Sequence, residues 1–202
     1  MALVALGTED ELSEAVGVRL LAEHEQYLQP GLRLRKSGFG YLRSNVKRWR
    51  ELAQRQPVVL ITDLDQIACP PALLNDWLGG QARPENLLLR VAVREVEAWL
   101  LADHVAMQGL LGDRARLPPA PDALPDPKQH LLGLAKRAPR DVRLDLVQEA
   151  GSVSRQGLGY NARLTDLVRM SWSPARAAER SPSLARARRS LGALARQLQE
   201  LN

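Results

Sequence analysis

Two aspartates one residue apart, Asp63 and Asp65, follow the apolar run Val58-Val59-Leu60-Ile61-Thr62. Side chains two apart in extended backbone point to the same side, so both carboxylates can converge on one hard cation. Mg²⁺, or Mn²⁺ in its place, suits such a pair. It takes one or two carboxylates and completes its shell with waters and a substrate phosphate. A solvated strand-to-helix turn, with one aspartate capping the next helix, would carry the same residues, and the triplet alone does not separate the two readings. Its place behind so apolar a strand, where open parallel sheets bind their ligands, favours the metal.

A metal site draws further acids from neighbouring strand ends. Glu9, Asp10 and Glu11 follow the first apolar run, and if that strand neighbours the third, Glu9 is the best placed acid and Glu11 the second. First-turn acids that favour the positive end of a helix would read the same way. The run Arg94-Glu95-Val96-Glu97-Ala98-Trp99-Leu100-Leu101-Ala102-Asp103 opens a later helix at another strand end, from which Glu97, or else Glu95, can reach Asp63. Arg94 and Glu97 lie three apart and are spaced to pair with each other. Asp103 falls in the apolar arc of that helix, so it requires a partner, such as a basic residue from the C-terminal helices, and a structural role. Arg43, Lys47 and Arg50 recur at four and three residues as a basic stripe that can grip phosphates or simply face solvent. Arg33, Arg35 and Lys36 lie just upstream, and Arg186, Arg188, Arg189 and Arg196 form a similar set near the C-terminus. His24, His104 and His130 lack metal-ligand spacing, and no phosphate-binding G-x-x-x-x-G-K-[ST] loop occurs, which excludes a P-loop ATPase in this chain.

The elements that must hold these residues alternate between strands and helices. Residues 2–6 read as a buried strand, with Thr8 capping a helix that carries Leu12, Val16, Leu20 and Leu21. Gly31 to Arg35 is a second strand, and Tyr41 to Gln54 a helix with Leu42, Val46, Trp49 and Ala53 inward. After the third strand at 58–62, Pro70 and Pro71 open a helix that stops at Gly79-Gly80. Asn86 to Val93 is the fourth strand, and a single long helix runs from Arg94 to about Leu111. This order predicts an α/β fold with a parallel four-stranded sheet flanked by helices over 1–112. Five prolines between Pro118 and Pro127 make 113–127 a connector that no regular element crosses intact. Beyond it only helical patterns appear, at Asp126 to Ala138, Asp141 to Glu149, Ala162 to Trp172 and Ser183 to Leu201. The expectation is a helical region, 128–202, packed on the first domain, with Ser181 capping the last helix and Pro182 in its first position.

The composition narrows the class without deciding the function. A chain of 202 residues with 45% hydrophobic and 25% charged residues supports one sizeable core. The net charge of +5 favours an anionic partner. One cysteine, Cys69, rules out an internal disulfide and suits the reducing cytoplasm. No signal-peptide pattern and no bilayer-length apolar run occur, so no membrane partner is expected.

An acid after the first strand and Asp-x-Asp after the third resemble a TOPRIM domain. Further residues make the chain similar to a bacterial TOPRIM-like family of unknown function, distantly related to the nuclease halves of the overcoming-lysogenization-defect proteins. They are Gly7-Thr8-Glu9, Thr62-Asp63-Leu64-Asp65, the 94–103 run, Asp126-Pro127-Lys128, Gly159-Tyr160-Asn161 and Ser181-Pro182-Ser183-Leu184. The resemblance implies a TOPRIM-like fold and a Mg²⁺-dependent nuclease acting on DNA or RNA, in phage or mobile-element defence, beside a separate ATPase subunit. It implies Glu9 as general acid or base, Asp63 and Asp65 as metal ligands, and Glu97 as a further ligand or orienting group. Arg43, Lys47 and Arg50 would hold the phosphate backbone. In TOPRIM enzymes a Glu usually stands directly before the glycine, whereas Leu6 precedes Gly7 here. From this follows a second expectation, a non-catalytic nucleic-acid-binding or regulatory subunit with the same fold.

Overall fold

A computed structural model describes residues 1–35, 40–150 and 153–200. Lys36 of the basic stretch and the Leu201 end of the last helix therefore lie outside the described residues. The fold is α/β. Strands β1 (Ala2–Thr8), β2 (Leu28–Arg35), β3 (Val58–Asp63) and β4 (Leu87–Ala92) form one parallel sheet in the order β2-β1-β3-β4. The two apolar strands, β1 and β3, are thus central, and the less buried β2 takes an edge.

The twofold alternation of side chains along a strand divides the core between the two faces. Val4, Leu6, Val59, Ile61 and Leu88 point to one face, and Ala5, Val58, Leu60, Leu87 and Leu89 to the other. The second face is covered by Leu42 from α2 (Tyr41–Ser44), Trp49 from α3 (Val46–Leu52) and Leu73 from α4 (Pro70–Leu78). The first face lies under α1 (Glu11–Ala22), α5 (Val96–Leu101), α6 (His104–Leu111), α7 (Pro127–Ala135), α8 (Arg140–Leu146), α9 (Tyr160–Met170), α10 (Pro174–Ala178) and α11 (Pro182–Glu200). One apolar cluster therefore runs from the sheet into the C-terminal helices, with α9 packed along α1 and α11 along β4. No helix among the described residues is long and apolar enough to cross a membrane.

Four local readings change. Asp10, not Thr8, caps α1: its carboxylate accepts from Ser13 N at 2.7 Å, while Thr8 is buried inside β1. The helix expected over 41–54 is interrupted at Asn45, whose side-chain amide donates to the Tyr41 carbonyl, a local bond that competes with helix continuation. The single helix expected over 94–111 breaks at Ala102-Asp103, because the Asp103 carboxylate caps the new helix α6 at Ala106 N. The second half is not wholly helical. An antiparallel hairpin, β5 (Val147–Ala150) with β6 (Val153–Gln156), replaces the end of the helix expected at Asp141 to Glu149. A short 3₁₀ turn, Pro121–Ala123, also forms inside the proline-rich stretch. Asp122 in that turn accepts from Ser181 Oγ and Ser183 N, while Ser181 Oγ accepts from Leu184 N at the start of α11.

Candidate functional site

The chain passes from β1 outward to β2 and then returns to β3 on the other side of β1. The carboxyl ends of β1 and β3 therefore flank the point where strand order reverses, the usual ligand position in an open parallel sheet. Glu9 stands directly after β1 and Asp63 ends β3. The Thr62 hydroxyl donates to Glu9 Oε1 at 2.7 Å and ties the two strand ends together.

Asp63 is the electrostatic centre of this region. Its Oδ1 accepts from Val96 N, in the first turn of α5, at 2.9 Å. Burial raises its pKa well above the ordinary carboxylate value, and the charges of Glu97, Asp10, Asp65 and Glu9 raise it further. Glu9 is raised as well, by burial above all, against the Thr62 hydrogen bond and with Asp65 and Asp10 adding to the rise. Burial alone raises Asp65.

Asp65 does not extend the strand. Its φ of +49° turns it out of the β conformation, so Asp63 and Asp65 are not successive same-side residues of one extended segment. The turn is held from beside it, where Arg94 Nη1 donates to the carbonyls of Asp65 and Ile67 at 3.0 and 2.9 Å. Arg94 is committed to these carbonyls and does not form the expected pair with Glu97.

Glu97 is 5% exposed and bonds across the fold, accepting from the Tyr160 hydroxyl at 2.8 Å. Burial raises its pKa, while Lys128 and the Tyr160 bond oppose the rise. Glu95 Oε2 accepts from Lys128 N at 2.9 Å, and burial lifts its pKa to about 6. The Lys128 ammonium sits 5.2 Å from the centre of the Tyr160 ring, a cation–π distance. The C-terminal elements α7 and α9 thus supply a cation and a phenol to a group of acids carried by the sheet domain. Sequence reasoning assigned no role to Asp10, Thr62, Lys128 or Tyr160. Lys128 and Tyr160 stood only within stretches that carried the family resemblance.

The other expected residues lie apart from this cluster. Glu11 is exposed in the first turn of α1. Asp103 is 0% exposed and receives Arg176 of α10 through Nε and Nη2 at 2.8 and 2.7 Å, with Ser173 N at 2.7 Å. Arg43 pairs with Asp76 at 2.8 Å on the surface of α2, whereas Lys47 and Arg50 belong to α3, so the helix break at Asn45 divides the stripe. Upstream, Arg33 and Arg35 approach Glu14 at 3.7 and 3.8 Å.

The crowded oxygen donors fit the chemistry of a hard divalent cation, whose charge would relieve their mutual repulsion. Among the described residues, no group of three or more His, Cys, Asp or Glu side chains is close enough to hold one metal. Any one hard cation here would therefore have at most two of these carboxylates, the rest of its shell being left to waters and a ligand phosphate. No protein-family model, curated protein or solved structure matches the chain.

Proposed function

We propose that this protein is a Mg²⁺- or Mn²⁺-dependent phosphodiester hydrolase acting on DNA or RNA, with the TOPRIM-like arrangement its sequence resembles. The observation that carries the reading is the gathering of Glu9, Asp10, Asp63 and Glu97 around the reversal of strand order, with burial and mutual repulsion raising Glu9, Asp63 and Glu97. A cation held here would neutralise phosphate charge and acidify water near it.

The chain's own residues have separate tasks. Asp63 and Asp65 would be the ligands, with Asp63 oriented by Val96 N and the Asp65 turn, which leaves the strand at a φ of +49°, held by Arg94. Glu9, with its raised pKa and its Thr62 bond, is suited to carry a proton to or from the reacting oxygen. Glu97, fixed by Tyr160, would orient the site rather than add a third carboxylate to the ion. Nucleic acid would reach the cluster along basic surfaces such as Lys47 and Arg50, with a separate ATPase subunit and a defence setting as proposed context.

A second reading has its own support. Leu6 stands where TOPRIM enzymes usually have Glu, and no three-ligand group occurs among the described residues. Both suit a regulatory subunit that binds nucleic acid without cutting it. Calorimetry with Mn²⁺, joined to cleavage assays on labelled DNA and RNA, separates the two. The hydrolase reading expects metal binding and cleavage, both abolished by the double variant Asp63→Asn, Asp65→Asn. Nucleic-acid binding without metal-dependent cleavage supports the second reading. Cleavage that survives the double variant overturns the assignment of these ligands.

A further inference from the structure

Arg90 is a basic residue in the wrong place for a purely apolar interface. It lies in β4, two residues beyond Leu88 and on the same face, beneath α11. Among the described residues it makes one side-chain bond: Nη1 donates to Ser190 Oγ at 2.6 Å, and that hydroxyl in turn donates to the Arg186 carbonyl. Its Nε is buried with no partner, and no carboxylate pairs with it among the described residues. Burial and the nearby charge of Arg83 lower its pKa to about 10. A partly desolvated guanidinium without a counter-ion carries a cost, and a second arginine beside it adds to it.

These groups border a cavity of about 210 Å³ between β4 and α11, lined by Arg83, Glu85, Arg90, Ser190 and Gln197 among others. Arg83 is exposed at the rim and has no ion pair among the described residues. Glu85 is also exposed and pairs with neither arginine. Fastening α11 to the sheet accounts for the Arg90–Ser190 bond. It leaves unexplained the unpartnered Nε, the second cation and the open space. We propose that this cavity binds a phosphate group, with the half-buried Arg90 as its anchor and Arg83 as the second cation at its rim. Guanidinium forks match the oxygens of phosphate in geometry and charge, and such charge-assisted bonds strengthen when partly desolvated. The cavity lining includes Arg83 and Glu85, which precede β4, and none of the carboxylates at the strand ends, so the inference does not rest on the hydrolase reading.

The phosphate belongs either to a small molecule or to a nucleic-acid backbone. Calorimetry of the full chain with inorganic phosphate, at constant ionic strength, tests the site itself. Wild type is expected to give saturable binding, weakened roughly tenfold or more by Arg83→Gln and by Arg90→Gln. Arg83 is exposed, so its variant decides the matter if Arg90→Gln fails to fold. A short single-stranded oligonucleotide then identifies the source. Binding weakened by Arg83→Gln and competed by phosphate points to a backbone phosphate, whereas oligonucleotide binding indifferent to Arg83, with phosphate binding retained, points to a small molecule. No saturable heat from wild type, or phosphate binding by both variants equal to wild type, overturns the proposal.

Discussion

A charged carboxylate at Asp63 is held against its surroundings, and that leaves a trace in stability. Its folded pKa is raised by burial first and then by Glu97, Asp10, Asp65 and Glu9, so the folded state binds this proton more tightly than the unfolded chain. Between the unfolded and folded values the native state carries more protons, and stability falls as pH rises. For Glu95 the window runs from its ordinary value of 4.5 to about 6, and for Asp63 it begins at 3.8 and extends well above. The contribution is harmless below these windows and fully unfavourable above them. His24 and Asp141, both lowered, act in the opposite sense on acidification, so the comparison of wild type with a variant carries the test. Asn at position 63 keeps the acceptor for Val96 N and removes the charge. Asp63→Asn is expected to stabilise the metal-free protein near pH 7 by about 0.5–2 kcal/mol, with a smaller gain near pH 5. Urea midpoints at the two pH values read this directly, and a variant less stable than wild type at neutral pH would sink the account. The same site was half legible in the sequence. Glu9, Asp63 and Glu97 stand out because strand ends collect ligands, but Lys128 and Tyr160 enter through tertiary contacts 33 and 63 residues away. No local spacing encodes those distances.

At the scale of elements, the period of the side chains made the sheet readable. Strands β1 and β3 are unbroken apolar runs, and their central positions follow from that burial. Breaks were harder to read, because they depend on where one side chain finds its partner. Asp103 stood out as an acid in an apolar arc. That it ends α5 and caps α6 follows from bonds to Ala106, Ser173 and Arg176, two of them 70 or more residues away. The hairpin escaped the sequence reading because its two four-residue segments are too polar to show a strand period. Beyond the hairpin, Gly157 joins β6 to α9, and its N–H donates to the Leu146 carbonyl at 2.9 Å. A Cβ there would collide with the Asp145 carbonyl oxygen and lie 3.0 Å from the carbonyl carbons of Asp145 and Leu146. Backbone atoms cannot rotate aside as a side chain can. Gly157→Ala is therefore expected to cost about 1–3 kcal/mol, although alanine is the stiffer residue in the unfolded chain. Thermal and urea unfolding of the purified variant measure the loss, and an unchanged midpoint would show that the α8 end yields without cost.

The whole molecule is joined more closely than a sheet domain with an appended helical region. Trp99 of α5 donates to Ser183 at the start of α11, and Trp172, after α9, donates to the Trp99 carbonyl. Asp103 depends on Arg176, and Glu97 on Tyr160. These bonds lie within or beside the apolar cluster that continues from Val4, Leu6 and Ile61 to Leu164, Leu184 and Leu191. Cutting the chain after residue 112 would remove the cover from α1 and α5 and leave both buried acids without their partners. The full chain is accordingly expected to unfold in one transition. Tryptophan fluorescence would report Trp99 and Trp172 on one face of the sheet and Trp49 and Trp77 on the other. Its denaturation curve should coincide with that from far-UV circular dichroism, as a two-state unit requires. A chain of residues 1–112 should show no cooperative melting, because its exposed core face and unpaired Asp103 outweigh the remaining contacts. Cooperative unfolding of that fragment would make the C-terminal helices an accessory. Its absence would mean that Lys128 and Tyr160 reach the acids as part of the same cooperative unit that holds Asp63 in place.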